Sequence, residues 1–287
     1  MNELDVPRLD LSERELALTV EQSLYDLFRA MCQLPGAELE ELGSCSRHHA
    51  FPSNPMFKGI WAPTHDDEAI DAAVAESLDW HRARGAPYVF CWAGLDADEP
   101  ALDARLARHG FVPTDLGAPG QVAELDDLDW SALERAPSGF VVERIGDEAG
   151  VDDWSRTFVE AFEIPEWAGR AWFDATMSFG PEDAPWDLYV GRLDGRPVAT
   201  TMMFYGAGVA TAFAIGTIGE ARGKGIGAAI TLSGFADARP RGYRFGVLFA
   251  TELGAPVYRR IGFRDTGGTV SRWLWIDDGG PQLFADR

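Results

Sequence analysis

The segment from Val209 to Ile230 constrains this chain more than any other. Apolar residues run from Val209 to Ile215, as a buried strand requires. Gly223, Gly225 and Gly227 follow at alternate positions, and Ile226 and Ile230, with Ala228 and Ala229 between them, open a helical pattern. A strand, a glycine loop and a helix start together make an anion site. First-turn N–H groups lack intrahelical acceptors, and the helix dipole adds partial positive charge there. Glycine lets an anion approach the backbone, and Arg222 and Lys224 add full charges.

Three phosphate motifs compete for this segment. A P-loop needs Ser or Thr after its lysine, whereas Gly225 follows Lys224. The relaxed dinucleotide fingerprint fits Gly223, Gly225 and Ala228, with Glu252 near the place of a ribose-binding acid. That reading needs several more βα units, and only 35 residues follow Glu252. The third motif, Arg-x-x-Gly-x-Gly, is met by Arg222, Gly225 and Gly227.

A second signature follows at Tyr258-Arg259-Arg260-Ile261-Gly262-Phe263, with one apolar strand, 245–250, between the two. Together they resemble the pyrophosphate loop and the Tyr-x-x-x-Gly-Phe motif of the GNAT superfamily of N-acetyltransferases, which use acetyl-coenzyme A. The resemblance covers the C-terminal half well and the N-terminal half faintly. It implies that the two strands flanking the crossover helix splay apart and admit the pantetheine arm. Main-chain groups of Ile215, Gly216, Thr217 and Ile218 would then hold the arm and the thioester carbonyl. Arg222, Gly223, Lys224, Gly225, Ile226, Gly227 and Ala228 would bind the pyrophosphate, and Tyr258 would protonate the leaving thiolate. A phenol with an unperturbed pKa of about 10 is protonated at neutral pH and can donate. Thr251 stands where the family often has Asn, and a hydroxyl replaces part of that role.

Formal net charge is −21, which disfavours nucleic acid, since phosphate contacts need Lys and Arg. The 217–264 segment runs against that balance: Arg222, Lys224, Arg239, Arg241, Arg244, Arg259, Arg260 and Arg264 face only Glu220, Asp237 and Glu252. A basic patch at a glycine loop suits a polyphosphorylated ligand. At 287 residues the chain has room for two domains. No apolar run reaches the ~20 residues of a membrane span, the first twenty residues carry five carboxylates and no signal core, and Cys32, Cys45 and Cys91 have no metal spacing. A cytoplasmic enzyme without a bound metal, monomeric or homodimeric, is the expectation.

Order along the chain suggests an internal duplication. Strand 209–216, helix 225–238, strand 245–250, a short helix and Gly262-Phe263 are echoed by strand 56–61, helix 66–84, strand 88–92, a short helix and Gly110-Phe111. The first copy has Ala62-Pro63-Thr64-His65-Asp66-Asp67 in place of the glycine loop. The expected fold is therefore α/β (α+β), two tandem GNAT-like domains, each a mixed, mostly antiparallel sheet with a βαβ crossover and flanking helices. Residues 1–128 form a degenerate copy and 138–287 the acetyl-coenzyme A-binding copy, joined by the acidic stretch 125–137.

No base stands out. All five histidines (His48, His49, His65, His81, His109) lie in the first half. Glu252, just past the second strand, is the first candidate, followed by Glu163, Glu166 and Asp174; a water relay serves equally. Trp167, Trp172 and Phe173 are candidates to line an acceptor pocket. The reading is an acyltransferase moving acetyl from acetyl-coenzyme A to a small-molecule primary amine by direct attack. The rivals are an NAD-dependent oxidoreductase and a non-catalytic acyl-coenzyme A sensor.

Overall fold

The computed structural model describes residues 6–43, 45–50, 57–62, 68–94, 99–114 and 118–276. The chain forms two compact units, each built from two stretches. One joins the residues up to Asp26 to Gly120–Thr266; the other joins Leu27–Pro119 to the residues from Gly267 on.

The first unit holds strands in the order β6-β11-β10-β9-β8-β7, with the first residues of β12 (Arg264–Ile276) beside β6. Its strands are β6 (Ala118–Glu124), β7 (Phe140–Ile145), β8 (Trp186–Leu193), β9 (Arg196–Gly206), β10 (Val209–Thr217) and β11 (Phe245–Phe249). β7, β8, β9 and β10 pair antiparallel in succession, the β8–β9 turn falling at Asp194-Gly195. β10 and β11 pair in parallel, joined by α6 (Ile226–Ala238). Helices α4 (Glu148–Phe162), α5 (Glu166–Phe179) and α7 (Ala255–Arg260) complete this unit. α6 is predominantly apolar and largely buried: Ile226, Ile230, Leu232 and Phe235 enter a core with Met203, Leu248 and Tyr258. Gly234 permits its close approach to the sheet, since a Cβ there would lie 2.6 Å from Met203 Sδ. The other sheet face packs Val209, Val247 and Phe245 against Leu16 and Val20 of α1 (Glu13–Met31).

The second unit holds β1 (Glu38–Glu41), β2 (Ser46–His49), β3 (Lys58–Ala62), β4 (Tyr88–Ala93), β5 (Val112–Pro113) and the later residues of β12 (Arg264–Ile276). β3 and β4 pair in parallel, joined by α2 (Glu68–Ala83), and α3 (Glu99–Arg108) follows. Each unit thus contains one parallel strand pair bridged by a helix. Pro63 to Asp67, which replace the glycine loop in the first copy, lie outside the described residues, as does His65.

α1 starts at Glu13 because Ser12 and Glu15 form a reciprocal cap: Ser12 N donates to Glu15 Oε2 (2.9 Å) and Glu15 N to Ser12 Oγ (3.3 Å). Several expectations change. The 125–137 stretch is not an open linker: Leu125, Leu128 and Ala132 are buried in the first unit's core. Residues 120–124 pair with β11, whereas 271–276, in the terminal strand, pair with β4. Each pairing covers a strand edge that would otherwise expose unpaired N–H and C=O groups.

Candidate functional site

β10 departs from regular geometry halfway along. Between Phe213 and Gly216 it advances three residues while β9 advances two, from Met202 to Thr200. The extra residue is a β-bulge, and Ala214 within it has φ +50°. Thr200 Oγ1 donates to the Ala214 carbonyl at 2.9 Å and so fixes the bulge. At the same level β10 leaves its other neighbour: its pairing with β11 covers only Ala210–Ala212 against Gly246–Leu248. From Phe213 to Thr217 the strand is half-buried, although its first four residues are fully buried. A gap therefore opens between the second half of β10 and the end of β11, and the backbone of Ile215, Gly216 and Thr217 borders it. Gly216 is small for a packing reason, since a Cβ there would lie 2.8 Å from both Ala161 and Phe162. Ile218 is buried, and its N–H donates to the Val198 carbonyl at 3.0 Å.

The glycine loop follows the gap. Gly219–Ala221 form a 3-10 turn, and Gly223 and Gly225 take φ +75° and +84°. Gly225 caps α6, with no side chain bonding into the helix start. Hydrogen-bond acceptors for the N–H groups of Gly225, Ile226, Gly227 and Ala228 are absent among the described residues. That is a concentrated donor set at the positive end of a helix dipole. A Cβ at Gly225 would come within 3.2 Å of the Arg135 carbonyl, so glycine is required there by both φ and space. Gly223 has open space around it, and a Cβ at Gly227 would make only ordinary contacts.

Tyr258 stands on α7, 6% exposed, its ring edge-on to Phe263 at 6.4 Å. Burial pushes its phenol pKa upward, so the hydroxyl stays protonated across the neutral range. Gly254 makes the space: a Cβ there would lie 2.7 Å from the ring and 3.0 Å from the hydroxyl. Among the described residues none hydrogen-bonds this hydroxyl. The following Gly262-Phe263 pair is architectural, with Gly262 at φ +110° against the Asp127 carbonyl and Phe263 packed on Phe235 at 5.3 Å.

Comparison with protein-family models and with curated proteins returns no match. Solved structures do match. A GCN5-related N-acetyltransferase from Kribbella flavida aligns with TM-score 0.67 and 19% identity, over 92% of this chain and 96% of that one. Another, from Sphaerobacter thermophilus, aligns with TM-score 0.60 and 17% identity over 99% of both chains. A tandem GNAT protein from the clavulanic acid biosynthesis pathway aligns with TM-score 0.58 and 16% identity over 94% of both. The chain has the GNAT fold.

The remaining candidates occupy separate places in this fold. Thr251 is exposed, and its hydroxyl accepts from Gly254 N at 3.2 Å, which ties it to the turn before α7. Glu252 is exposed on the same turn. Trp172 meets Trp154 and Trp186 edge-on at 6.5 and 5.6 Å, which makes it part of the packing beneath α4 and α5. Trp167 is half-buried, and Phe173 lies under the Arg170 guanidinium at 4.7 Å. His48, His49 and His81 are buried in the second unit, and His109 contacts Asp71 at 3.3 Å.

The basic patch expected at 217–264 is largely neutralised. Arg239, Arg241, Arg244, Arg259 and Arg264 pair with Asp126, Asp187, Glu124, Asp265 and Glu13. Sequence counting missed this because four of these carboxylates lie far upstream and meet the arginines only through folding. Arg222 is also occupied, by backbone carbonyls. Lys224 is exposed and has no carboxylate partner among the described residues. No helix among them is long and apolar enough to cross a membrane.

Proposed function

We propose that the chain is an acyltransferase that moves an acetyl group from acetyl-coenzyme A to a primary amine of a small molecule. The observation that carries this is the bulged, splayed β10 leading directly into an uncapped helix N-terminus. The gap is bordered by main-chain groups of Ile215, Gly216 and Thr217, with Ile218 beyond, and suits an amide-bearing pantetheine arm. The N–H groups of Gly225, Ile226, Gly227 and Ala228, with Gly223 and Lys224 beside them, suit a pyrophosphate. Arg222 belongs to the loop through its backbone, and Thr251 borders the far side of the gap.

Transfer by direct attack needs a neutral amine, a polarised carbonyl and a proton for the thiolate. Main-chain N–H groups at the bulge supply the polarisation. Tyr258 Oη–H donates to the departing sulfur as general acid. Glu252, on the turn before α7, takes the amine proton directly or through water. No cysteine intermediate is invoked: Cys91 is buried on β4 of the other unit, where burial raises its thiol pKa and keeps it unreactive. A dinucleotide reading lacks its scaffold, because the β10–β11 pair is the only parallel one among the described pairings of the first unit.

Thermal shift with acetyl-coenzyme A, free coenzyme A and NADH tests the assignment, on wild type and Gly225→Asp. A ligand at ~100 times its Kd stabilises by about 2.7 kcal/mol. Stabilisation by both coenzyme A forms, lost in the variant, is the expected result, followed by thiol release with an amine panel. Stabilisation by NADH alone overturns the proposal. Binding without turnover on any amine favours the sensor reading.

A further inference from the structure

Arg222 lies in the glycine loop, yet its guanidinium is spent on protein. Nε donates to the Thr217 carbonyl at 2.9 Å and Nη2 to the Ala161 carbonyl at 2.8 Å, with Glu163 at 3.8 Å. Ala161 is in the last turn of α4, where carbonyls lack intrahelical donors and the dipole favours a cation. Thr217 is the last residue of β10. Two further contacts join the same parts. Gly216 packs against Ala161 and Phe162. Arg196 pairs with Glu220, in the turn that precedes the loop, and lies 3.6 Å from Glu160 of α4.

We infer that Arg222 is a positioning residue: it fastens the coenzyme loop to the C-terminal end of α4 and leaves the phosphate charge to Lys224. The loop's N–H groups are thereby preset, and the α4–α5 corner, with Glu163 in the left-handed region at φ +54°, is held against the gap. This rests on the coenzyme reading of the loop, but the fastening itself can be measured without any ligand.

Amide hydrogen exchange at residues 159–165 and 217–225 is compared in wild type, Arg222→Met, Arg222→Lys and Lys224→Met. Arg222→Met should speed exchange in both segments roughly tenfold, through loss of two charge-assisted bonds. Arg222→Lys should restore part of the protection, and Lys224→Met should change neither segment. Acetyl-coenzyme A titrations at low and high salt then separate charge from positioning. Lys224→Met should flatten the salt dependence, whereas Arg222→Met should weaken binding about fivefold with the wild-type slope. Wild-type exchange in Arg222→Met, or a slope flattened as in Lys224→Met, overturns the inference. Failure of the coenzyme reading is a different result: wild type binds no acetyl-coenzyme A while Arg222→Met still loosens both segments. Should Arg222→Met fail to fold, Arg222→Lys carries the same comparison.

Discussion

Acid should open the second unit through three buried histidines. His48 and His49 lie on β2 and His81 on α2, 2%, 2% and 0% exposed. His48 Nδ1, His49 Nδ1 and both ring nitrogens of His81 have no hydrogen-bond partner among the described residues. His49 stacks on His81 at 5.7 Å, and His48 on Phe28 at 4.6 Å. Burial is the main cause that holds their pKa values down, to about 3, 4 and 2 for His48, His49 and His81. Lys58 and Arg84 add repulsion at His49, while Glu38 opposes the shift there. The folded rings are therefore neutral while the unfolded chain protonates below about pH 6.5, so stability is lost as pH falls through that value. Each ring contributes about 1.4 kcal/mol per pH unit in this window. At pH 5 that is about 2 kcal/mol each and about 6 together, a large share of a typical 5–15 kcal/mol. Buried Lys58, lowered to about 8, acts in a separate window: its destabilisation grows as pH falls from 10.5 to 8 and is constant below that. Denaturant titrations between pH 7 and 5, with His81→Phe as the control, measure the slope. Wild type should take up close to three protons on unfolding and the variant one fewer. A slope below one proton, or ring resonances that titrate near pH 6.5 in the folded protein, refutes the reasoning.

Other outcomes follow from the first unit. Tyr258→Phe should lower kcat about 10²-fold or more while the acetyl-coenzyme A Kd stays within twofold, because only an unbonded hydroxyl is lost; unchanged turnover removes the general-acid role. Gly225→Ala should destabilise more than Gly223→Ala, both incurring about 1–2 kcal/mol for a left-handed non-glycine residue but only Gly225 meeting a carbonyl at 3.2 Å. Equal melting temperatures for the two would count against the packing account. Glu252→Gln should reduce kcat/KM for the amine about 10²-fold with coenzyme affinity preserved; wild-type kcat/KM would leave deprotonation to a water relay.

The bulge, the splay and the left-handed glycines explain why much of the candidate site's backbone could be read in advance. Glycine at 223 and 225 and apolar residues from 209 to 215 are local demands of a strand that turns into a helix start, so they show in the residues themselves. The turn after α7 was legible for the same reason, through Gly262, whose φ of +110° stands against the Asp127 carbonyl. Nothing local marks Thr200, whose hydroxyl fixes the bulge from the neighbouring strand, or Ala161, which holds Arg222 by a carbonyl that any residue would have. Charge counting failed because ion pairs such as Arg241 with Asp187 and Arg264 with Glu13 are products of the fold.

Strand ownership was hidden for a related reason. An apolar run announces a strand but not its neighbour, and the strand edges of β11 and β4 accept any segment of suitable length and alternation. Here β6, from the first half of the chain, pairs with β11, and the end of β12 pairs with β4. Boundaries drawn in sequence, at 128 and 138, separate each unit from a strand of its own sheet. β11 is also the strand from which β10 splays, and its edge facing away from β10 is the one that β6 pairs. That pairing runs along Phe245–Phe249, so the strand that borders the gap is anchored by a segment some ninety residues upstream of β10 in the chain.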